Sequence, residues 1–154
     1  MSLNQQYLTF ELNGQQYGAP IMLVREINRI TETTPIPRTP VYVEGVMNLR
    51  GKVIPVINLR LKLGMSKGET NQHTCIIVVE TPNGLVGAIV DKVFSVVEFR
   101  PEQLEAPPNV GSKEHLHLLG MGKLDERVVI LLDLLKLFET DGVIDASALT
   151  SQAA

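Results

Sequence analysis

The side chains with chemical capacity are few in this sequence and poorly gathered. His115 and His117 alternate, so on a strand they would share a face and could hold a metal. No further His or Cys lies near them in the chain, which makes solvated or partly buried histidines the plainer reading. Cys75 has only His73, two residues away, as a candidate base, and its apolar surroundings suit a buried thiol better than a nucleophile. Asp91, Asp125, Glu126 and Asp133 are scattered, mostly at turn or cap positions, and no glycine-rich phosphate loop is present. The expectation is a protein with no catalytic residue, no metal and no cofactor: not an enzyme.

Recognition chemistry remains. Arg50 stands in Asn48-Leu49-Arg50-Gly51, between two apolar segments, where it points outward and cannot help a core. It reads either as a solvated turn arginine or as a partner-facing one, the residue type favoured at binding hot spots. Glu26 lies among Val24, Ile27 and Ile30, and a carboxylate bordering an apolar face favours a cation. A solvated carboxylate is the alternative reading.

These residues need elements to hold them. Residues 45–63 read as strand, tight turn at Arg50-Gly51, strand, and a short helix capped by Asn58 and stopped by Gly64. Pro55 offers no N–H, which predicts an edge strand or a bulge. Upstream, residues 7–11 and 15–19 flank Asn13-Gly14, a hairpin signal. Residues 20–30 carry Ile21, Val24, Ile27 and Ile30 at the spacing of one helical face, though Ile30 could already be strand, and 33–40 hold three prolines in an extended loop.

Past a polar linker at 66–72, the pattern recurs. Gly87 matches Gly18, and Val90, Val93, Val96 and Phe99 match Ile21, Val24, Ile27 and Ile30 at a constant offset. A longer proline-containing loop at 101–112 follows, and then 120–138 tracks 45–63 without a gap, Asp133 falling on Asn58. Such self-similarity predicts a duplicated unit. Each unit offers about five short strands, which close most naturally into a small barrel, and barrels of this size should share a core. The pattern does not say whether the chain crosses between barrels. The expected organisation is a single domain over 1–140, with pseudo-repeats at roughly 5–65 and 73–139, and a flexible tail over 141–154.

Composition narrows the partners. A net charge of −3 without a Lys/Arg run argues against nucleic acid, and three Tyr, four Phe and no Trp make a poor base-stacking platform. No apolar stretch approaches a membrane span, and the first six residues, mostly polar, show no secretory signal. The lone cysteine suits a reduced compartment, so a cytoplasmic protein without direct membrane insertion is expected.

Asn48-Leu49-Arg50-Gly51, followed by Val-Ile-Pro-Val and Asn58-Leu59-Arg60, resembles the signature of the CheW family of bacterial chemotaxis coupling proteins, over roughly residues 7–138. The resemblance implies a mainly β fold: two five-stranded SH3-like barrels packed around a shared hydrophobic core, with short helices. It implies a non-enzymatic adaptor joining the cytoplasmic tip of a chemoreceptor to the regulatory domain of the histidine kinase CheA. Such a protein would be a monomer when isolated and would enter membrane-bound arrays with its partners. By the same resemblance Ile21, Val24, Gly45 and Val110 fall on the kinase side, and Glu26, Asn48, Arg50, Gly87, Val93 and Val96 on the receptor side, with Arg50 the plausible mate of Glu26. Packing or backbone roles remain open for the two glycines and the valines. The rival readings are a coupler in a non-motility chemosensory pathway, or a small barrel binding peptide or oligonucleotide.

Overall fold

A computed structural model of the chain describes residues 5–106 and 118–139. The first hairpin, β1 (Gln5–Leu12) and β2 (Gln15–Pro20), turns at Asn13 and Gly14, both with positive φ. Such a turn matches the twist of paired strands, and Asn-Gly accepts it at little cost. A 3-10 turn, Ile21–Leu23, leads into β3 (Val24–Arg29). The helical reading of 20–30 is thereby corrected. Its three-residue spacing is the imprint of a 3-10 turn followed by a strand whose register against β6 shifts between Val24 and Glu26. Within β3 exposure alternates with period two, as a strand requires.

β4 (Val43–Leu49), β5 (Lys52–Asn58) and the short helix α1 (Leu59–Lys62) complete the first unit. The second comprises β6 (Cys75–Thr81), β7 (Gly84–Val90), β8 (Lys92–Phe99), β9 (Leu104–Glu105), β10 (Leu118–Leu124), β11 (Arg127–Leu132) and α2 (Leu134–Glu139). Both expected caps are present. The Leu61 N–H donates to Asn58 Oδ1 and the Lys136 N–H to Asp133 Oδ1, each at 3.2 Å.

The strands form two sheets, ordered β8-β1-β2-β11-β10-β9 and β3-β6-β7-β5-β4. The chain therefore crosses twice. The first hairpin joins the second unit's β8, β10 and β11, while the second hairpin, β6–β7, joins the first unit's β3, β4 and β5. Replacing each strand by its counterpart turns one order into the other, with the two-residue β9 as the extra strand. Two parallel contacts, β2 with β11 and β7 with β5, seat the exchanged hairpins.

Burial follows this arrangement. Each barrel has a small cluster of its own: Met47, Ile54, Val56, Ile76 and Val78 in one; Tyr7, Phe99, Val129 and Leu131 in the other. The largest cluster, eighteen buried residues including Phe10, Ile57, Leu59, Val79, Leu134 and Phe138, draws on both sheets. The twin barrels fill equivalent space differently. A Cβ on Gly122 would meet the Phe99 ring at 2.6 Å, whereas the positions matching Gly122 and Phe99 hold Met47 and Ile30.

Two local expectations change. Pro55 lies on β5, between β7 and β4, so it is on neither an edge nor a bulge. It is tolerated because it faces Val46, whose own N–H and C=O are both bonded to Thr34 at 2.9 and 2.8 Å. β4 therefore asks for no N–H there, and the Pro55 nitrogen faces β7, whose ladder with β5 begins only at Val56 opposite Gly87. Cys75 is half-buried rather than buried, its thiol 3.3 Å from the His73 carbonyl.

Candidate partner-binding site

β3 and β4 are the two edges of the five-stranded sheet, and curvature brings them together. Main-chain bonds between Thr34 and Val46 bridge the seam. Gly45 makes that approach possible: with φ +141, a Cβ there would collide with the Thr34 carbonyl. Its counterpart Gly120 faces the Glu105 carbonyl in the same way.

The same seam carries the ion pair. Asn48 Oδ1 accepts the Gly51 N–H at 2.8 Å, fastening the turn in which Arg50 (φ +49) and Gly51 (φ +89) take positive φ. From there the Arg50 guanidinium reaches Glu26 on β3 as a fork. Nη1 lies 3.1 Å from Oε1, and Nη2 contacts Oε2. Glu26 is the sheltered partner at 23% side-chain exposure, and Arg50 is open at 70%. The hydrogen bond from Arg50 holds the Glu26 carboxyl below its ordinary value, against a smaller upward push from burial; the same bond raises the Arg50 pKa. A fixed, fully ionised, planar pair remains, with guanidinium edges still turned to solvent. Such a pair can offer hydrogen-bond donors to a carboxylate or carbonyl; among the described residues no group of three His, Cys, Asp or Glu could hold a metal.

The other expected site residues are placed separately. Ile21 and Val24 are half-buried against the shared core, beside Met22, which is 92% exposed. Gly87 is buried inside the barrel, where a Cβ would meet Ile76 at 2.9 Å, so it serves close packing and offers no surface to a partner. Val93 also packs on the shared core, while Val96 is 48% exposed. Both lie on β8, the edge of the other sheet, so the structure does not gather them with Glu26, Asn48 and Arg50. Val110, His115 and His117 lie outside the described residues, as does the 141–154 tail.

Sequence reasoning missed two features. Exposed Met22 and Val41 flank β3 and β4, and single exposed apolar residues leave no periodic signal. The Arg60–Asp91 pair was also missed, since its partners are 31 residues apart. Next to that pair is a polar cleft of about 330 Å³. Its Glu44 is bonded to Lys67 and Asn58, each at 3.1 Å.

A family model described as the CheW-like domain matches residues 6–142. The chain belongs to the CheW-like family. It is 34% identical to the chemotaxis protein CheW of Klebsiella aerogenes over 141 residues, covering 91% of this chain and 85% of that one. It is 36% identical to the CheW of Thermotoga maritima over 132 residues, covering 86% of each. The crystal structure of the scaffolding protein TtCheW from Thermoanaerobacter tengcongensis superimposes with a TM-score of 0.82 at 36% identity, covering 90% of this chain and 94% of that one. The mainly β, two-sheet architecture is thus the family's, and the Asn48–Gly51 turn with its ion pair stands within the matched region. Among the described residues no helix is long and apolar enough to cross a membrane.

Proposed function

We propose that this chain is a non-enzymatic adaptor that couples chemoreceptors to the histidine kinase CheA in bacterial chemotaxis. One observation carries the reading: the Glu26–Arg50 pair spans the seam of one barrel, and the twin barrel lacks it. The matching positions there are Ser95 and Asp125, which cannot form an ion pair. Because the twin forms the corresponding sheet without it, the pair is not a requirement of the fold. Its exposed guanidinium is suited to a partner. Family membership, with relatives named for chemotaxis and scaffolding, supports the same conclusion.

Glu26, Asn48 and Arg50 would meet the receptor tip, with Val96 as an apolar contact on the second barrel. Asn48 acts by fastening the turn and Val93 by packing beneath. Ile21 and Val24 would lie beneath the kinase-facing surface, with Gly45 shaping its backbone. The chain acts as one domain made of two interlocked units, in the cytoplasm, recruited to receptor arrays. Two barrels give two unlike surfaces, so one small chain can hold a helical hairpin and another barrel at once.

The test is reconstitution of purified chain, receptor tip fragment and CheA, reading receptor-dependent kinase activity. Glu26→Arg and Arg50→Glu should each abolish coupling, and the double variant should recover it. A double variant no better than the singles removes the pair from the mechanism. A wild-type chain that binds neither partner removes the adaptor reading.

A further inference from the structure

A different ionic contact lies where the two barrels meet. Arg60 Nε lies 2.9 and 3.0 Å from the two carboxylate oxygens of Asp91, and Nη2 lies 2.5 Å from Oδ2. Both side chains are sheltered, at 19% and 22% exposure. Asp91 Oδ2 also accepts the Asn13 N–H at 2.8 Å, and the Asp91 N–H donates to the Glu11 carbonyl at 3.0 Å.

The origin of each group gives this contact its meaning. Arg60 rides on α1, directly after β5 of the five-stranded sheet. Glu11 and Asn13 belong to β1 and its turn, in the six-stranded sheet. Asp91 is the single residue between β7 and β8, where the chain passes from one sheet to the other. One carboxylate thus ties a helix of one barrel to a turn of the other at the crossing itself. The 66–72 segment covers it: a Cβ on Gly68 would meet Arg60 Cζ at 2.5 Å.

The other crossing, through Ile21–Leu23, has no such device. The positions matching Asp91 and Arg60 hold Met22 and Leu135. The shared core is apolar, and apolar burial is non-directional, so it resists separation of the barrels better than it resists their sliding. A forked, charge-assisted contact is directional and fixes angle as well as distance.

We propose that Arg60 and Asp91 are positioning residues, a strut that sets the orientation of one barrel against the other. The consequence for coupling rests on the adaptor reading: a partner touching Arg50 on one barrel and Val96 on the other would meet a preset surface. The strut itself does not rest on that reading.

The experiment uses the full chain with Cys75→Ser and spin labels at Lys52→Cys and Arg127→Cys, matching exposed positions on β5 and β11. Pulsed electron resonance reads the distance distribution between the barrels. Asp91→Asn keeps an oxygen for the Asn13 N–H but removes the charge, and Arg60→Lys keeps the charge but removes the fork. Both are expected to melt cooperatively and to broaden and shift the distribution. The same variants should bind the receptor tip at least tenfold more weakly while holding the kinase regulatory domain unchanged. An unchanged distribution in both variants overturns the strut, and so does loss of cooperative folding in both, which would make the pair a folding determinant. If the labelled parent chain binds no receptor tip, the adaptor reading fails while the distances still decide the strut.

Discussion

Cutting the chain within 66–72 should leave two halves that cannot fold alone yet fold when mixed. The reason is the exchange of hairpins. A half containing β1 to α1 holds the hairpin of one sheet and three strands of the other, so neither of its sheets is complete. Of the eighteen buried residues in the shared cluster, each half supplies nine. The five-stranded barrel's own cluster is likewise divided, with Met47, Ile54 and Val56 from one half and Ile76 and Val78 from the other. Burying a Val, Leu, Ile or Phe side chain is worth about 1.5–3 kcal/mol. Losing even half of that across nine residues is on the order of 10 kcal/mol, comparable with the roughly 5–15 kcal/mol that holds a whole domain together. Fragments 1–69 and 70–154 should therefore each show broad, non-cooperative melting by circular dichroism. Mixed in equal amounts, they should form a one-to-one complex with a sharp transition. A sharp melt from either fragment alone would refute the shared-core argument, because that fragment would have closed a barrel without the other's hairpin.

Arg50→Gly should melt within about 2 °C of the parent, because the residue is exposed and glycine takes its positive φ freely. The same variant should lose at least about tenfold in receptor-tip affinity by titration calorimetry, as expected of a hot-spot arginine; a large fall in Tm would make the residue structural instead. Asp91 should contribute a pH-dependent part of stability. Burial pushes its carboxyl up, but the Arg60 contact, with the Asn13 N–H, outweighs that and leaves it below its ordinary value of 3.8. A lowered folded pKa means stability that is complete above the unfolded value and lost as pH falls through the folded one. The urea-stability difference between parent and Asp91→Asn should thus be flat above about pH 5 and shrink below about pH 4. A difference that grows on acidification would show the assignment to be reversed.

What could be read from the sequence was local. Asn13-Gly14 and Arg50-Gly51 announce their turns because positive φ is demanded of particular residues. Asn58 and Asp133 announce their helices because a cap acts on the next turn of chain. Repetition was legible for the same reason, each unit carrying its own copies of these signals. The crossing was not legible, since a hairpin that closes its own barrel and one that closes its twin's need the same alternation. Val24–Arg29 misled because a 3-10 turn and a bulge together imitate helical spacing. Pro55 misled because the hydrogen bond it cannot make is not asked of it, which depends on Thr34 on one side and on where the ladder with β7 begins on the other, both remote in the chain. Within the candidate site, Glu26 and Arg50 were findable as charges set against apolar neighbours. Arg60 and Asp91 were not, because each alone resembles an ordinary helix or loop residue.

The duplication also separates folding from function, because each barrel is a control for the other. A residue needed to build a barrel should have a counterpart performing the same task. Gly45 and Gly120 both admit a carbonyl across the seam, Gly18 and Gly87 both relieve packing against a branched side chain, and Asn58 and Asp133 both cap. These are explained by folding. Val96 and its counterpart Ile27, 48% and 42% exposed, show that both barrels present an apolar residue on an edge strand. Apolar contact alone therefore cannot tell a partner which barrel to choose. The charges can: Glu26 and Arg50 face Ser95 and Asp125 in the comparison, a fork on one barrel and an acidic turn on the other. On the proposed function, that difference is what lets two barrels of one descent hold two different proteins, since a carboxylate-bearing partner is drawn to Arg50 and repelled by Asp125.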